Sequence, residues 1–145
     1  MVGTNKEGYL MAIELKEFSQ TTPARSTSGS NATWEEFSFQ VPDAEVWYIE
    51  NFQASVNNFQ ESYGSSDAIW AGFGLFQEIP GTNQQIGTYH KVVDGTSNPD
   101  NAKVIPVDKR FSGVRIVVRT KIRQYSSYSG SFDSGGVHIL ARRIV

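Results

Sequence analysis

The feature that most constrains this chain is alternation. Apolar side chains recur at every second residue in stretch after stretch, and no segment holds a helical period for ten residues. The pattern predicts strands at 9–18, 34–41, 46–57, 68–77, 86–93, 103–107, 111–123 and 137–144. In the first, Leu10 and Ala12 oppose Met11, Ile13 and Leu15. In the second, Phe37, Phe39 and Val41 take one face and Glu36, Ser38 and Gln40 the other. Pro42-Asp43 ends it, because proline fixes φ and lacks an amide proton for the ladder.

Two strands carry more specific expectations. In the third, Trp47 and Ile49 share one parity and Phe52, Ala54 and Val56 the other. One extra residue near Glu50-Asn51, a β-bulge, would return all five to one face. In the fourth, Ile69, Ala71, Phe73 and Leu75 point inward, opposite Trp70, Gly72, Gly74 and Phe76. Two glycines between aromatics imply rings lying over bare backbone, or a close approach by another surface.

About eight strands in 145 residues indicate an all-β fold, a single-domain antiparallel β-sandwich of jelly-roll type. One domain over 1–145 suits the length, and a chain of this size buries about 68–70% of its unfolded surface without a staple. There is no cysteine, which excludes a disulfide scaffold and a thiolate metal site. No apolar run approaches the roughly 20 residues of a membrane helix. Residues 1–15 place a carboxylate on each side of a short apolar run and offer no small-residue cleavage site. They do not read as a secretory signal, so a soluble cytoplasmic location is the default expectation.

The connections are uneven. If successive strands run antiparallel, 19–33, 58–67, 94–102 and 124–136 share one end, with 15, 10, 9 and 13 residues. The connections at the other end have 4, 8 and 3. Long loops gathered on one pole of a rigid sandwich are where binding usually resides. Segments 58–67 and 124–136 mix Tyr and Phe with Ser and Gly, a composition that offers large rigid contact area and adaptable hydrogen bonds. Phe59, Tyr63, Tyr125, Tyr128 and Phe132 are therefore candidate contact residues. The plainer alternative is flexible solvated loops with rings tucked onto the sandwich end. Segment 19–33 is the most linker-like, rich in Ser and Thr. It sets the strand within 1–18 apart, with Leu10, Met11, Ile13 and Leu15, either as an arm that pairs with a neighbouring subunit or as an ordinary edge strand.

Charge is also uneven. Residues 1–78 carry a net −8 and residues 79–145 a net +6, for the overall −2. The basic excess concentrates in Arg115, Arg119, Lys121 and Arg123, on the outward parity of one strand, and in Arg142 and Arg143. These could answer Glu14, Glu17, Glu35 and Glu36 across strands, or form a charged interface between subunits. The slightly negative total argues against nucleic acid, whose binding domains are usually strongly basic.

Catalytic chemistry leaves few traces. His90 and His138 are the only histidines; neither has a second His two or four residues on, and the one carboxylate at such a spacing, Asp94 after His90, does not make a ligand set, so no metal site is expected. Phe132-Asp133-Ser134-Gly135-Gly136 resembles the nucleophile motif of chymotrypsin-like proteases, but Phe132 stands where that motif has Gly and the chain is too short for two six-stranded barrels. The same residues are those a turn requires. There is no nucleophile elbow, phosphate loop or dinucleotide fingerprint. No cofactor and no enzymatic activity are expected. Asn31-Ala32-Thr33 is a glycosylation sequon, idle without a secretory signal.

The block Trp34-Glu35-Glu36-Phe37-Ser38-Phe39-Gln40-Val41-Pro42-Asp43-Ala44-Glu45-Val46-Trp47-Tyr48-Ile49 resembles a recurring opening of small jelly-roll proteins in bacteriophage virions. Val137-His138-Ile139-Leu140-Ala141-Arg142-Arg143 is similar in character to their last strand. The resemblance implies a virion accessory protein of the capsid decoration or cement type, a homo-oligomer, with a trimer favoured, bound to the major capsid protein. It transfers no functional residue. The competing reading is a carbohydrate- or receptor-binding β-sandwich, in which Trp34, Trp70, Tyr125 and Tyr128 would stack on sugar faces.

Overall fold

A computed structural model describes residues 2–4, 10–96 and 101–144. The strands are β1 (Val2–Thr4), β2 (Leu10–Thr22), β3 (Arg25–Ser28), β4 (Ala32–Val41), β5 (Trp47–Asn57), β6 (Gln60–Glu61), β7 (Trp70–Glu78), β8 (Gln85–Asp94), β9 (Asn101–Phe111), β10 (Val114–Arg123), β11 (Ser129–Phe132) and β12 (Ser134–Ile144). They form three antiparallel sheets, ordered β1-β2-β12-β5-β9, β4-β10-β7-β8 and β3-β11-β6. Among the described residues there is no helix, and so none long and apolar enough to cross a membrane. The fold is all-β and jelly-roll-like, as the alternation predicts; each of the eight expected strands is present.

The five- and four-stranded sheets enclose the core, which is built from the inward parity of both. Ile49, Phe52, Ala54 and Val56 of β5 and Ile139 and Ala141 of β12 meet Ala71 and Phe73 of β7 and Ile116, Val118 and Ile122 of β10. Burying each larger side chain contributes roughly 1.5–3 kcal/mol. The expected bulge is present. The β5–β9 register shifts between Ile49 and Asn51, and Trp47, Ile49, Phe52, Ala54 and Val56 are all buried. The glycines of β7 serve as expected too. The Phe76 ring lies over Gly74 and over Gly87 of β8, so close that a Cβ at either would come within 2.7 Å of a ring carbon. A side chain at either position would displace the ring.

Two expectations need correction. Segment 19–33 is not a linker: β2 runs through to Thr22, β3 covers 25–28, and β4 begins at Ala32. Ser and Thr suit edge and cross-strand positions as well as loops. Glu36 does not lie on the outer face with Ser38 and Gln40. Opposite Val118 and Arg119, β4 carries one residue more than β10. This bulge turns Glu36 inward, where its side chain is only 2% exposed. There it accepts from Thr120 Oγ1 at 2.5 Å and from Arg25 Nη2 at 3.0 and 3.1 Å.

Candidate functional site

The four long connections meet at one pole. Segments from three of them pair as the third sheet, with Ser129–Phe132 along Ser28–Arg25 and Gly130-Ser131 along Glu61-Gln60. The fourth joins through the Gly95 amide, which donates to Ser66 O at 2.9 Å and Ile69 O at 3.1 Å. Two of the short turns meet at the opposite pole, where the Gly113 amide donates to Pro42 O and Ser112 Oγ to Asp43 O. Strand alternation delivers the long connections to one end, and backbone pairing then fixes them into a cap.

That cap sorts the candidate contact residues. Tyr63 and Tyr125 are 50% and 54% exposed. Tyr63 stands edge-on to Tyr128 at 4.8 Å and to Tyr125 at 6.4 Å, while Tyr125 and Tyr128 are parallel within 8° at 6.3 Å. The three rings thus form one cluster drawn from two loops. Phe59 and Phe132 do not join it. They are buried in the core beneath the cap, because parity along β11 turns Phe132 inward and no polar atom anchors a Phe ring at the surface. Gly130 lets the cap sit directly on the sandwich, since a Cβ there would come within 3.0 Å of Ile122.

The first long strand lies against its own chain. Residues Ile13–Thr22 of β2 pair with Ile144–Gly135 of β12. Leu10, Met11, Ile13 and Leu15 thus sit on a sheet strand; the side chains of Leu10, Met11 and Ile13 lie outside the described residues, and Leu15 is exposed. Ion pairs fasten this edge. Arg143 reaches Glu14 at 3.1 Å and Glu45 at 2.9 Å, Lys16 reaches Glu14 at 3.1 Å, and His138 Nε2 lies 3.0 Å from Glu17. Hydrogen bonds first from Lys16 and then from Arg143 hold the Glu14 carboxyl below its ordinary range. A depressed carboxyl stabilises the fold above its unfolded pKa and loses that contribution as pH falls through its folded pKa. The difference in urea midpoint between the wild type and Glu14→Gln should therefore be largest near neutrality and shrink on acidification. A difference constant with pH would show that this carboxylate is not coupled to folding.

The basic residues separate into two groups. Arg115 pairs with Glu78 and, at 3.2 Å, with Glu35; the hydrogen bond it donates to Glu78 foremost raises its proton affinity. Arg142 pairs with Glu50 at 3.2 Å. Cross-strand pairing thus absorbs part of the charge asymmetry seen along the chain. Arg119 instead donates to Tyr89 Oη at 2.9 Å and Thr33 Oγ1 at 3.1 Å. Lys121 Nζ lies 5.8 Å from the Trp70 ring centre and 5.4 Å from that of Tyr89.

Sequence reading missed a trough of about 500 Å³ on the outer face of the five-stranded sheet. Register explains it. Thr21, Gly136, Ser55 and Ala102 lie side by side across four strands, followed by Ser19, His138, Gln53 and Val104. A row of small side chains beside a row of larger ones leaves a depression. The only sequence signal is small residues at outward parity, and which of them align depends on register. Ser134 Oγ accepts from Asn57 Nδ2 at 3.0 Å, and Asn58 Nδ2 donates to Asp133 Oδ2 at 2.6 Å, so the protease-like segment forms a pinned turn into β12. Among the described residues no three His, Cys, Asp or Glu side chains converge as a metal site.

No protein-family profile matches the chain, and no curated protein sequence does. Among solved structures it is similar to a chain of infectious bursal disease virus, Gx strain, with TM-score 0.55 and 12% identity over 92% of this chain and 36% of that one. It is also similar to a chain of the acid-stable capsid of Helicobacter pylori bacteriophage KHP30, with TM-score 0.37, 9% identity, and coverage of 92% and 94%. A third is TmCBM61 in complex with β-1,4-galactotriose, with TM-score 0.34, 11% identity, and coverage of 94% and 86%. The chain spans just over a third of the infectious bursal disease virus chain. At this identity the likeness shows the fold: a jelly-roll-like sandwich of the kind found in a virus-particle chain.

Proposed function

We propose that this chain is a non-enzymatic structural protein of a virus particle that binds other coat subunits, as a decoration or cement protein, and self-associates, with a trimer favoured. The observation that carries the reading is the cap. Three long connections are ordered into a sheet that presents Tyr63 and Tyr125 at the surface, braced by Tyr128, which packs against the core. Tyrosine clusters on a rigid base make good protein-contact anchors, since they bury much area and lose few rotors. The fold likeness to a virus chain agrees with this reading.

Light scattering coupled to size-exclusion chromatography tests it. The wild type should elute as a discrete multiple of its 16.1 kDa chain mass, and Tyr63→Ala with Tyr125→Ala should return it to that mass without lowering its melting temperature. A wild type that stays monomeric at high concentration would count against self-association. One observation favours the second reading, a carbohydrate-binding module: Tyr125 and Tyr128 are parallel and Tyr125 is half exposed, as a sugar platform requires. On that reading the monomer would bind an oligosaccharide in calorimetry, and Tyr125→Ala would abolish the heat.

A further inference from the structure

The outer face of the four-stranded sheet carries three cations that cross-strand pairing leaves over. Arg119, Lys121 and Arg123 occupy alternate positions of β10, the strand flanked by β4 and β7. Among the described residues none of the three has a carboxylate within ion-pair distance, whereas Arg115, Arg142 and Arg143 all do. Glu35 lies opposite Arg119 in register, but its carboxylate is taken by Arg115. Alternate side chains on a strand are about 6.7 Å apart, comparable with the phosphate-to-phosphate step of an extended single strand.

Beside this row lie ring faces. Trp70 is the register partner of Arg123, while Gly72 and Gly74 stand opposite Lys121 and Arg119. The glycines let the Trp70 and Phe76 rings lie flat on β7, and Trp70 and Tyr89 each face the Lys121 ammonium. Cations in register beside aromatic rings are the combination that holds single-stranded nucleic acid, with phosphates on the charges and bases on the rings.

We propose that this face binds single-stranded nucleic acid, with Arg119, Lys121 and Arg123 on successive phosphates and Trp70 and Tyr89 stacking bases. Lys121 has the flexible stem needed to leave the rings for a phosphate. The net charge of −2 opposes binding by the molecule as a whole, but on this face Glu35 and Glu78 are paired with Arg115 and leave the three cations unanswered. An acidic protein segment would answer the cations but would have nothing to lay on the rings. The proposal stands apart from the virion role, since a chain that never assembles would still bind.

Fluorescence anisotropy with a labelled oligo-thymidylate about twenty nucleotides long tests it on the full chain. Three phosphate contacts predict a slope of log affinity on log salt of about −2, and thus a loss of about 15–20-fold between about 50 and about 200 mM salt. Lys121→Gln with Arg123→Gln should flatten the slope to about −0.7 and weaken binding at low salt at least about tenfold. Arg142→Gln, on the other sheet, should leave both unchanged. Matched melting curves would confirm that the variants are folded. An abasic oligomer of the same length should bind more weakly than the thymidylate. Absence of binding at low salt would overturn the proposal. Equal binding of the abasic oligomer and of polyglutamate would also overturn it, in favour of an acidic protein partner.

Discussion

Arg25→Ala will destabilise the fold by about 3–5 kcal/mol, although Arg25 lies in the stretch whose composition looks most like a linker. The reason is Glu36. Its side chain is 2% exposed, and its ionic partner within 4 Å is Arg25, itself largely covered and 5.4 Å from the Trp34 ring centre. Removing the guanidinium leaves Glu36 with the Thr120 hydroxyl alone. A buried charge stripped of its counter-ion costs far more than a surface pair contributes, which is about 0–1 kcal/mol. Glu36→Gln in the Arg25→Ala background should recover much of the loss, because an amide can keep the Thr120 contact without carrying charge. Urea unfolding of the two variants decides it. A loss under about 1 kcal/mol for Arg25→Ala would mean that water reaches Glu36 and that β3 is not held by this pair.

Phe132→Ala will cost about 3–5 kcal/mol, while Tyr125→Ala will leave stability within about 0.5 kcal/mol and act on association instead. Both come from one Tyr/Ser/Gly-rich segment, and composition does not tell them apart. Phe132 is 1% exposed and packs in the core, so truncation removes its transfer energy and leaves a cavity under the cap. Tyr125 is 54% exposed and touches other rings of the same cluster. Denaturation midpoints and light scattering on the same two proteins separate the effects. If Phe132→Ala were as stable as the wild type, the cap would not be part of the cooperative unit. If Tyr125→Ala lost several kcal/mol, the tyrosine cluster would be structural rather than a contact surface.

The candidate site was legible in part. Its location followed from counting: antiparallel succession sends every second connection to one end, and the long ones were the odd ones. Its chemistry did not follow, because side chains in 58–67 and 124–136 are sorted into core and surface by pairing partners 67 or more residues away, as in the bond from the Ser129 amide to Ser62 Oγ. The charged strand shows the same division. Parity placed Arg115, Arg119, Lys121 and Arg123 on one face, but only register showed that Glu35 and Glu78 neutralise the first and leave the other three.

Alternation within a strand is a local property, so the sequence by itself determined the eight long strands, the bulge at Glu50-Asn51 and the rings over glycine in β7. Each reports which face of a single strand is apolar, and water imposes that choice wherever the strand ends up. What lies beside what is non-local, and tertiary structure alone decided it: the third sheet, the inward turn of Glu36, the trough beside Gly136 and the company kept by each cation. A bulge of one residue moves a side chain from one face to the other, and a shift of register replaces every cross-strand neighbour. Those outcomes are selected by the packing of whole sheets and are not written in any one stretch of chain.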